Sequence, residues 1–377
     1  MSRGPSFARG LWRIAAADAS SGNLTELIRD GPRTFDAMIA AIDGASDYVS
    51  LESYIFLGDG VGERFADSLI AAAARGVRVR VIADWVGSRG GPRHFWRRLL
   101  SGGVEVRIFS APGMHAWLGL MPRDHRKVLV ADGAVGITGG IGISEAWSGG
   151  MRRRRSAPWR DTAVRIQGPA VLDMARAFDT MWGRANHEER RSARRHRRQQ
   201  VRQSHGADVD PSTARGSVVG IVEGEPWRLR VARALQIQAV SAERCIWIAS
   251  AYFYPSSAEL EALAGAALDG VDVRILVPSK YDHPWVRRFT HQVYHTLLRN
   301  RVRIWEWNGV MMHAKTSVVD SRWVRVGSTD FNPLGVAINY ELDALIEDRA
   351  LGREAEEMFR ADLEESTEIK DSKVRAQ

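Results

Sequence analysis

The sequence predicts an α/β protein in which one unit occurs twice. Two short motifs repeat the same spacing of three residue types: His125, Lys127 and Asp132, then His313, Lys315 and Asp320. The copies are 188 positions apart at all three residues (313 minus 125 for the histidines), so no insertion falls inside the motif. Helical and strand-like patterns alternate before each copy. The phrases at 74–82 and 268–276 are also visibly alike, and together these observations indicate two related halves.

Each half shows the same order of elements before its motif. In the first half, the periodicity predicts helix 34–45, strand 48–56, helix 63–75, strand 77–83, a helix near 95–100 and strand 104–109. In the second, it predicts helix 227–242, strand 245–252, helix 258–268, strand 271–277, helix 285–299 and strand 302–307. Alternation with short connections favours a mixed, largely parallel sheet flanked by helices in each half.

The motifs lie on predicted hairpins. Residues two apart on a strand point to the same face, so each motif His projects together with its Lys. Asp132 and Asp320 are an odd number of positions further on, at the predicted turns between 128–131 and 134–138 and between 316–319 and 323–326. A role in shaping the turn and a direct catalytic role both remain open for these aspartates.

Length and composition limit the possible domain organisation and cellular location. A chain of 377 residues is long enough for two domains with their own cores. Cys245 is the only cysteine, which excludes an intrachain disulfide and favours a reducing, cytoplasmic location. No stretch approaches the roughly 20 apolar residues of a membrane span. We therefore expect any membrane contact to be peripheral, at the inner face of the cell membrane.

Charge is unevenly distributed along a chain of net charge +8. The predicted division is an N-terminal extension at 1–30, a first domain at 31–184, a basic linker at 185–226, a second domain at 227–365 and a tail at 366–377. Arginine runs occur at 152–155 and 190–202. They suit anionic phospholipid headgroups, at about 1 kcal/mol per basic residue near a membrane surface. Nucleic acid would be attracted by the same charges, and a solvated loop without a partner is the alternative.

Two imidazoles and two ammonium groups in one cleft suit phosphoryl transfer. A neutral His can attack phosphorus while a protonated one gives its proton to the leaving alkoxide. The lysines would hold the non-bridging oxygens. This chemistry needs no metal or other cofactor. His291 and His295 have helical spacing but lack the Glu of the H-E-x-x-H zinc pattern, which favours a helix surface or a cleft wall.

The motifs and their flanks resemble the phospholipase D superfamily, most closely bacterial cardiolipin synthases of the short type without transmembrane segments. The resemblance spans 34–183 and 227–365. Beyond the motifs it rests on the following stretches: 124–127, 139–143, 159–161, 164–169, 252–255, 327–328, 332–334 and 339–342.

This resemblance implies two tandem phospholipase D-like domains related by a pseudo-twofold axis, with one active site at their interface. It implies a phosphohistidine on His125 and an acid/base role for His313. Acidic residues downstream of the motifs orient the imidazoles in this family, and Asp161 and Glu341 stand at those places. Three further residues near the second motif support the site: Ser328, Asp330 and Asn332. Gly142 and Asp330 replace the family's usual Asn, and an unpaired Asp there would disfavour a bound phosphate.

The predicted function is phosphatidyl transfer from phosphatidylglycerol or a related phospholipid to an alcohol or phospholipid acceptor. A hydrolase acting on phospholipid or nucleic acid would share every catalytic residue, and a non-catalytic basic protein that binds membranes or nucleic acid is a third reading. Apolar residues near the first motif favour a lipid, although core packing explains them equally well: Trp85, Trp117, Leu118, Leu120 and Met121. The sequence specifies no oligomeric state.

Overall fold

The computed structural model describes residues 5–110, 122–149, 157–185 and 216–370. Its strands are β1 (Ala19–Asp30), β2 (Tyr48–Ser53), β3 (Arg78–Asp84), β4 (Glu105–Phe109), β5 (Lys127–Ala131), β6 (Val135–Gly139), β7 (Arg160–Gln167), β8 (Ser217–Gly224), β9 (Cys245–Ser250), β10 (Asp272–Pro278), β11 (Arg303–Trp307), β12 (Lys315–Val319), β13 (Trp323–Gly327), β14 (Glu341–Glu347) and β15 (Ser366–Ile369). Its α-helices are α1 (Pro5–Ala15), α2 (Gly31–Asp43), α3 (Gly60–Ala74), α4 (Arg93–Ser101), α5 (Ala170–Ala185), α6 (Arg230–Ser241), α7 (Ser257–Leu268), α8 (Pro284–Arg299) and α9 (Arg349–Glu364). The two arginine runs, and the proposed apolar entrance at 117–121, lie outside the described residues.

All the described strands join one sheet, and its order is symmetric about the centre. The sequence of strands is β15-β11-β10-β9-β12-β13-β14-β8-β1-β7-β6-β5-β2-β3-β4. The seven strands from β1 to β7 therefore correspond one by one to those from β8 to β14. The central pair β1 and β8 is antiparallel, as expected for neighbours related by a twofold axis. The repeat predicted from the motifs is thus a repeat of the whole sheet topology.

The sheet is mixed, as predicted, but its parallel part is smaller than expected. Only β2, β3 and β4 and their counterparts β9, β10 and β11 pair in parallel. The motif hairpins β5–β6 and β12–β13 are antiparallel, and so are their contacts with the neighbouring strands. Helical crossovers occur only in the first part of each half, and tight hairpins require antiparallel strands. Counting the helix–strand alternation alone therefore overestimated the parallel part.

Three segments expected to lie outside the domains contribute strands to the sheet. β1 comes from the predicted N-terminal extension and β8 from the predicted linker, yet the two pair at the centre of the sheet. The tail contributes β15, which pairs with β11. These strands were missed because their sequences break the period-two pattern: β1 contains Gly22 and Asn23 beside a register shift, and β8 contains Gly220.

Alternate residues of each strand pack into different cores. In β5, Leu129 and Ala131 face a cluster with α2, α3 and α4, and the second half has its own cluster with α6, α7 and α8. Val128 and Val130 face the other way, into a core that contains residues of α5 and α9 from both halves. Because this third core is shared, it fixes one half against the other.

Helix ends are set by local capping. The Asp30 carboxylate accepts a hydrogen bond from Arg33 N at 2.8 Å at the start of α2, and Asp348 caps α9 in the same way. Ser256 and Glu259 form a capping box that begins α7. In the part of the chain that the structure describes, no helix is both long and apolar enough to span a bilayer.

Candidate active site

The motif histidines lie just before the first residues of β5 and β12, at the sheet edge where β2 and β9 end. Ser53 at the end of β2 pairs with Lys127, and Ser250 at the end of β9 pairs with Lys315. His313 and both lysines are buried. His125 and His313 line the same cavity, and their charges influence each other. The structure thus brings together the four motif residues predicted to do the chemistry.

Each histidine is held by the half to which it does not belong. His125 Nδ1 lies 3.1 Å from the Glu341 carboxylate, and His313 Nδ1 lies 2.8 Å from Asp161 Oδ2. The backbone explains this crossing, since His125 N donates to Tyr340 O at 2.9 Å and His313 N donates to Arg160 O at 2.7 Å. Each imidazole is therefore pinned beside the carboxylate that follows its backbone partner. A hydrogen bond of this kind fixes the ring orientation and directs the other nitrogen into the cavity.

Asp161 is held by a buried indole. Trp147 Nε1 donates to Asp161 Oδ2 at 2.9 Å, and the Trp147 ring meets His313 edge-on at a centroid distance of 5.3 Å. Gly142 accounts for this arrangement, because a Cβ at this position would lie 2.9 Å from the Trp147 ring and 3.0 Å from Ile55 Cβ. Any larger side chain, including the Asn usual in the family, would displace the indole. In this half, Trp147 packs against Gly142 and holds Asp161.

The two lysines have different surroundings. Lys315 Nζ lies 3.3 Å from Asp330 Oδ2 and 3.0 Å from His313 Nε2, and it donates to His313 O at 2.7 Å. Asp330 also accepts hydrogen bonds from Tyr252 N at 3.1 Å and Ser250 Oγ at 3.3 Å. Its charge is therefore paired, which answers the concern raised by an Asp beside a phosphate site. Lys127 Nζ donates to His125 O and faces the Tyr54 ring.

The motif aspartates are not among the residues that line the cavity, which favours the turn-shaping role over the catalytic one. Asp132 accepts hydrogen bonds from the backbone N–H groups of Ser46, Asp47 and Tyr48 at 2.8–2.9 Å. Asp320 does the same for residues 243–245. Each aspartate follows a five-residue strand whose first residue is the motif Lys. At ~3.3 Å per residue, the Asp and the Lys are therefore about 16 Å apart. Both adopt positive φ (+53° and +54°), which Asp tolerates better than most residues.

Replacing Asp132 or Asp320 with Ala is expected to lower the free energy of unfolding by about 1–3 kcal/mol. Each change leaves three backbone donors without their acceptor and puts Ala in a left-handed conformation. Turnover per folded molecule should stay within about twofold. Chemical denaturation and steady-state rates measure the two effects. A large loss of kcat with unchanged stability would restore a catalytic role for these residues.

Of the supporting residues expected near the second motif, Asp330 and Asn332 line the cavity, and Ser328 is not among its lining residues. Ser328 is buried, and its Oγ accepts a hydrogen bond from Leu342 N at 3.0 Å, next to Glu341. Asn332 Nδ2 donates to Tyr252 O at 3.2 Å, and its Oδ1 accepts from Leu334 N and Gly335 N. Asn332 therefore shapes the loop that forms one wall of the cavity.

Sequence reasoning assigned no role to two tyrosines at equivalent places in the halves. Tyr54 follows β2 and meets His125 edge-on at 4.7 Å, and Tyr252 follows β9 and meets His313 at 6.1 Å. Tyr252 Oη also donates to Asp282 at 2.6 Å, and all three residues line the cavity. Because a Tyr closely follows the equivalent strand in each half, a comparison of the two repeats could have identified this pair. Trp85, by contrast, is not among the residues that line the cavity.

Burial and neighbouring positive charges set the protonation of the site. The pKa of His125 lies well below its usual value, because burial disfavours the charged ring and Lys127 and Lys315 add to this effect. Burial also lowers the pKa of His313, but its Asp161 partner opposes the shift. The pKa of Lys127 falls to about 8, chiefly through burial. Burial raises the pKa of Glu341, and Lys127 is the main influence that opposes this.

The cavity has a volume of about 450 Å³, within the range of small-molecule sites. Among its lining residues, His313, Lys127, Asp330 and Glu341 are buried, whereas Phe289 and Leu334 are exposed and mark its mouth. Ionisable side chains in the interior and apolar side chains near the mouth suit a ligand that combines a phosphate with hydrocarbon.

The described residues contain no group of three or more metal-binding side chains. His291 Nε2 instead lies 3.0 Å from Glu306 Oε1, which also accepts a hydrogen bond from Tyr294 Oη at 3.0 Å. His291 is not among the residues that line the cavity, so the helix-surface alternative describes it better.

Two His–Lys pairs meeting in one cavity, each supplied by one copy of a repeated sheet unit, define the phospholipase D-like class of enzymes. The family described as "Cardiolipin synthase, PLD-like domain" matches residues 38–182 and 236–363. The chain belongs to this family.

Longer relatives, of which the matched stretch covers about 70%, agree with the assignment. The chain is 31% identical over 343 residues to the major cardiolipin synthase ClsA of Bacillus subtilis, covering 90% of this chain and 69% of that protein. It is 32% identical over 350 residues to a cardiolipin synthase of Listeria innocua, covering 92% and 70%. Identity to cardiolipin synthase A of Pseudomonas putida is 30% over 367 residues, covering 96% and 73%.

Solved structures share the fold at low sequence identity. Phosphatidylserine synthase of Haemophilus influenzae superimposes with a TM-score of 0.72 at 15% identity, over 97% of this chain and 92% of that one. Polyphosphate kinase of Porphyromonas gingivalis gives a TM-score of 0.59 at 14% identity, over 92% and 49%. These likenesses establish the phospholipase D-like architecture.

Proposed function

We propose that the protein transfers a phosphatidyl group from phosphatidylglycerol, or a related phospholipid, to an alcohol acceptor through a phosphohistidine. The observation behind this proposal is the pair of oppositely held histidines with two lysines at the bottom of a cavity with an apolar mouth. The relatives named as cardiolipin synthases support a second phosphatidylglycerol as the acceptor. Two phosphatidylglycerols would then give cardiolipin and glycerol.

In the first step, His125 Nε2 attacks phosphorus while the bond to the glycerol headgroup oxygen breaks. The lowered pKa of His125 keeps Nε2 unprotonated, and the Glu341 carboxylate accepts a hydrogen bond from Nδ1–H, which fixes this tautomer. His313 gives a proton to the departing alkoxide. The pKa of His313, which burial and Lys315 lower, rises when an anionic phosphate binds, since an opposite charge favours the protonated ring.

In the second step, the acceptor hydroxyl attacks phosphorus and the P–N bond to His125 breaks. His313, now neutral, takes the hydroxyl proton, and Asp161 stabilises the imidazolium that forms. Lys127 and Lys315 offset the charge on the non-bridging oxygens in both steps. The site then returns to its starting protonation state.

The proposed location is the inner face of the cell membrane, without a spanning helix in the described residues. The net charge of +8 and the apolar mouth of the cavity support this placement. The partners are then anionic phospholipids, which supply both substrate and surface.

Purified protein with phosphatidylglycerol in mixed micelles tests the function directly. We expect cardiolipin and glycerol in equal amounts by mass spectrometry, and cardiolipin in cells that lack other cardiolipin synthases. Release of phosphatidic acid without cardiolipin would assign hydrolysis instead. Cleavage of DNA or RNA, with no change in the lipids, would contradict the lipid assignment.

The pH dependence should show an alkaline limb from Lys127. Because the pKa of this lysine is about 8, kcat/KM is expected to fall more steeply above about pH 8 as its positive charge is lost, in addition to the fall that loss of the His313 proton causes at lower pH. The acid limb should lie well below pH 6.5, where His125 becomes protonated. Lys127→Arg is the matched control, because a guanidinium stays charged and should remove the alkaline limb. An unchanged limb in this variant would assign it to another group.

A further inference from the structure

We infer that the mouth of the cavity is a membrane-docking surface, centred on Trp227, Leu334 and Phe289, that binds an anionic phospholipid bilayer. This inference rests on the proposed function, because it identifies how lipid reaches the site. We call these three residues the docking rim. Their side chains are 76%, 53% and 42% exposed, whereas large apolar residues normally avoid water when they lie close together.

The docking rim is continuous with the active site. Leu334 and Phe289 line the outer part of the cavity whose floor holds His125 and His313. The Trp227 backbone adjoins the segment that carries Leu334, because Trp227 N donates to Ala337 O at 2.6 Å within Leu334–Ile338. A lipid whose phosphate is at the histidines therefore has an apolar path towards the rim for its acyl chains.

The backbone at the rim is unusual in a way that packing does not explain. Trp227 and Leu229 have φ values of +67° and +47°, a region that bulky residues rarely adopt. Both side chains are exposed despite this conformation. Backbone held in a sparsely populated region is found most often at functional and ligand-binding sites. Tryptophan is also the residue type that prefers the boundary between headgroups and acyl chains.

The charge beside the rim complements an anionic surface. Residues 225–233 contain three arginines and one glutamate, and residues 282–289 contain two arginines and one aspartate. Arg228, Arg287 and Arg288 are exposed. Apolar side chains flanked by arginines suit insertion into a bilayer rich in anionic headgroups. A second copy of this chain, equally basic here, would meet like charges.

Vesicle flotation of the full chain tests this surface. With equimolar phosphatidylglycerol and phosphatidylcholine, Trp227→Asp is expected to weaken binding at least about tenfold. Asp tolerates the left-handed backbone, so the change should preserve the fold. The double variant Arg287→Glu/Arg288→Glu should weaken binding at least about fivefold on these vesicles and little on pure phosphatidylcholine.

Leu268→Asp is the matched control. Leu268 is 51% exposed and is the last residue of α7. At ~1.5 Å per residue it lies about 16 Å from the first residue of that helix, which is the end closer to the cavity. This variant should bind vesicles like the parent protein. If Trp227→Asp also binds like the parent, or if it changes the oligomeric state in solution, the docking surface is refuted.

Activity separates docking from catalysis. On a short-chain phosphatidylglycerol below its micelle concentration, Trp227→Asp should retain the parental rate, while its rate on vesicles falls with binding. Equal loss on both substrates would overturn the inference. His125→Ala should bind vesicles normally. If the parent protein transfers no lipid at all but its flotation still depends on Trp227, the docking surface stands and the proposed function fails.

Discussion

Replacing His125 with Ala is expected to abolish phosphatidyl transfer, with kcat reduced by at least about 10⁴-fold. This side chain is the proposed nucleophile, so its loss removes the covalent route and leaves only positioning by the lysines. Substrate binding should change little, because Lys127, Lys315 and the apolar wall remain. Steady-state assays on phosphatidylglycerol measure both quantities.

Trapping the intermediate identifies the nucleophile independently of the rates. With donor labelled in its phosphate, rapid quenching should leave acid-labile, base-stable label on His125. The label should be absent from His125→Ala. It should be present in His313→Ala when the donor is a p-nitrophenyl ester, because that leaving group needs no proton from His313. His94→Ala, on the exposed face of α4, is the control. Label on His313 in the parent protein would reverse the two roles.

The crossed carboxylates should give opposite kinetic signatures. Glu341→Gln is expected to slow formation of the phosphohistidine, because Glu341 orients His125 for attack. Asp161→Asn is expected to slow its breakdown, because Asp161 holds the base that activates the acceptor. Each should reduce the overall rate on phosphatidylglycerol by about 10²- to 10⁴-fold, as for other carboxylates that orient a catalytic imidazole.

The p-nitrophenyl donor separates these effects. Asp161→Asn should release a burst of p-nitrophenol and accumulate phosphoenzyme, while Glu341→Gln should show no burst. Glu347→Gln is the matched control: Glu347 is on the same strand, buried, and ion-paired with Arg322 away from the cavity. If the two signatures were exchanged, each carboxylate would serve the histidine of its own half, and the crossed arrangement would be wrong.

The repeat was predictable because its signals are local. His and Lys two residues apart share a strand face whatever surrounds them, and the helix–strand alternation of each half needs only hydrophobic periodicity. The helices and strands preceding each motif lie within a few residues of their predicted positions. The turn position of Asp132 and Asp320 was also visible in the strand parity, although their catalytic role was left open.

The central strands were not predictable in the same way. β1 and β8 form strands because they pair with each other, and because β1 also pairs with β7 and β8 with β14. Their own sequences contain glycines and a register shift that interrupt the alternation. Similarly, the sequence alone shows Gly142 only as a departure from the family's usual Asn and gives no reason for it. Its meaning depends on the Trp147 indole, which occupies the space beside it.

The sequence by itself determined which residues are proposed to carry the chemistry, because the spacing of the two motifs places a His and a Lys on one face of a strand in each half. Tertiary structure decided how they work together. The carboxylate that follows one motif along the chain serves the histidine of the other, because the backbone at Tyr340 and Arg160 pairs across the junction of the halves. Such a pairing joins residues more than 150 positions apart, and no local pattern records it.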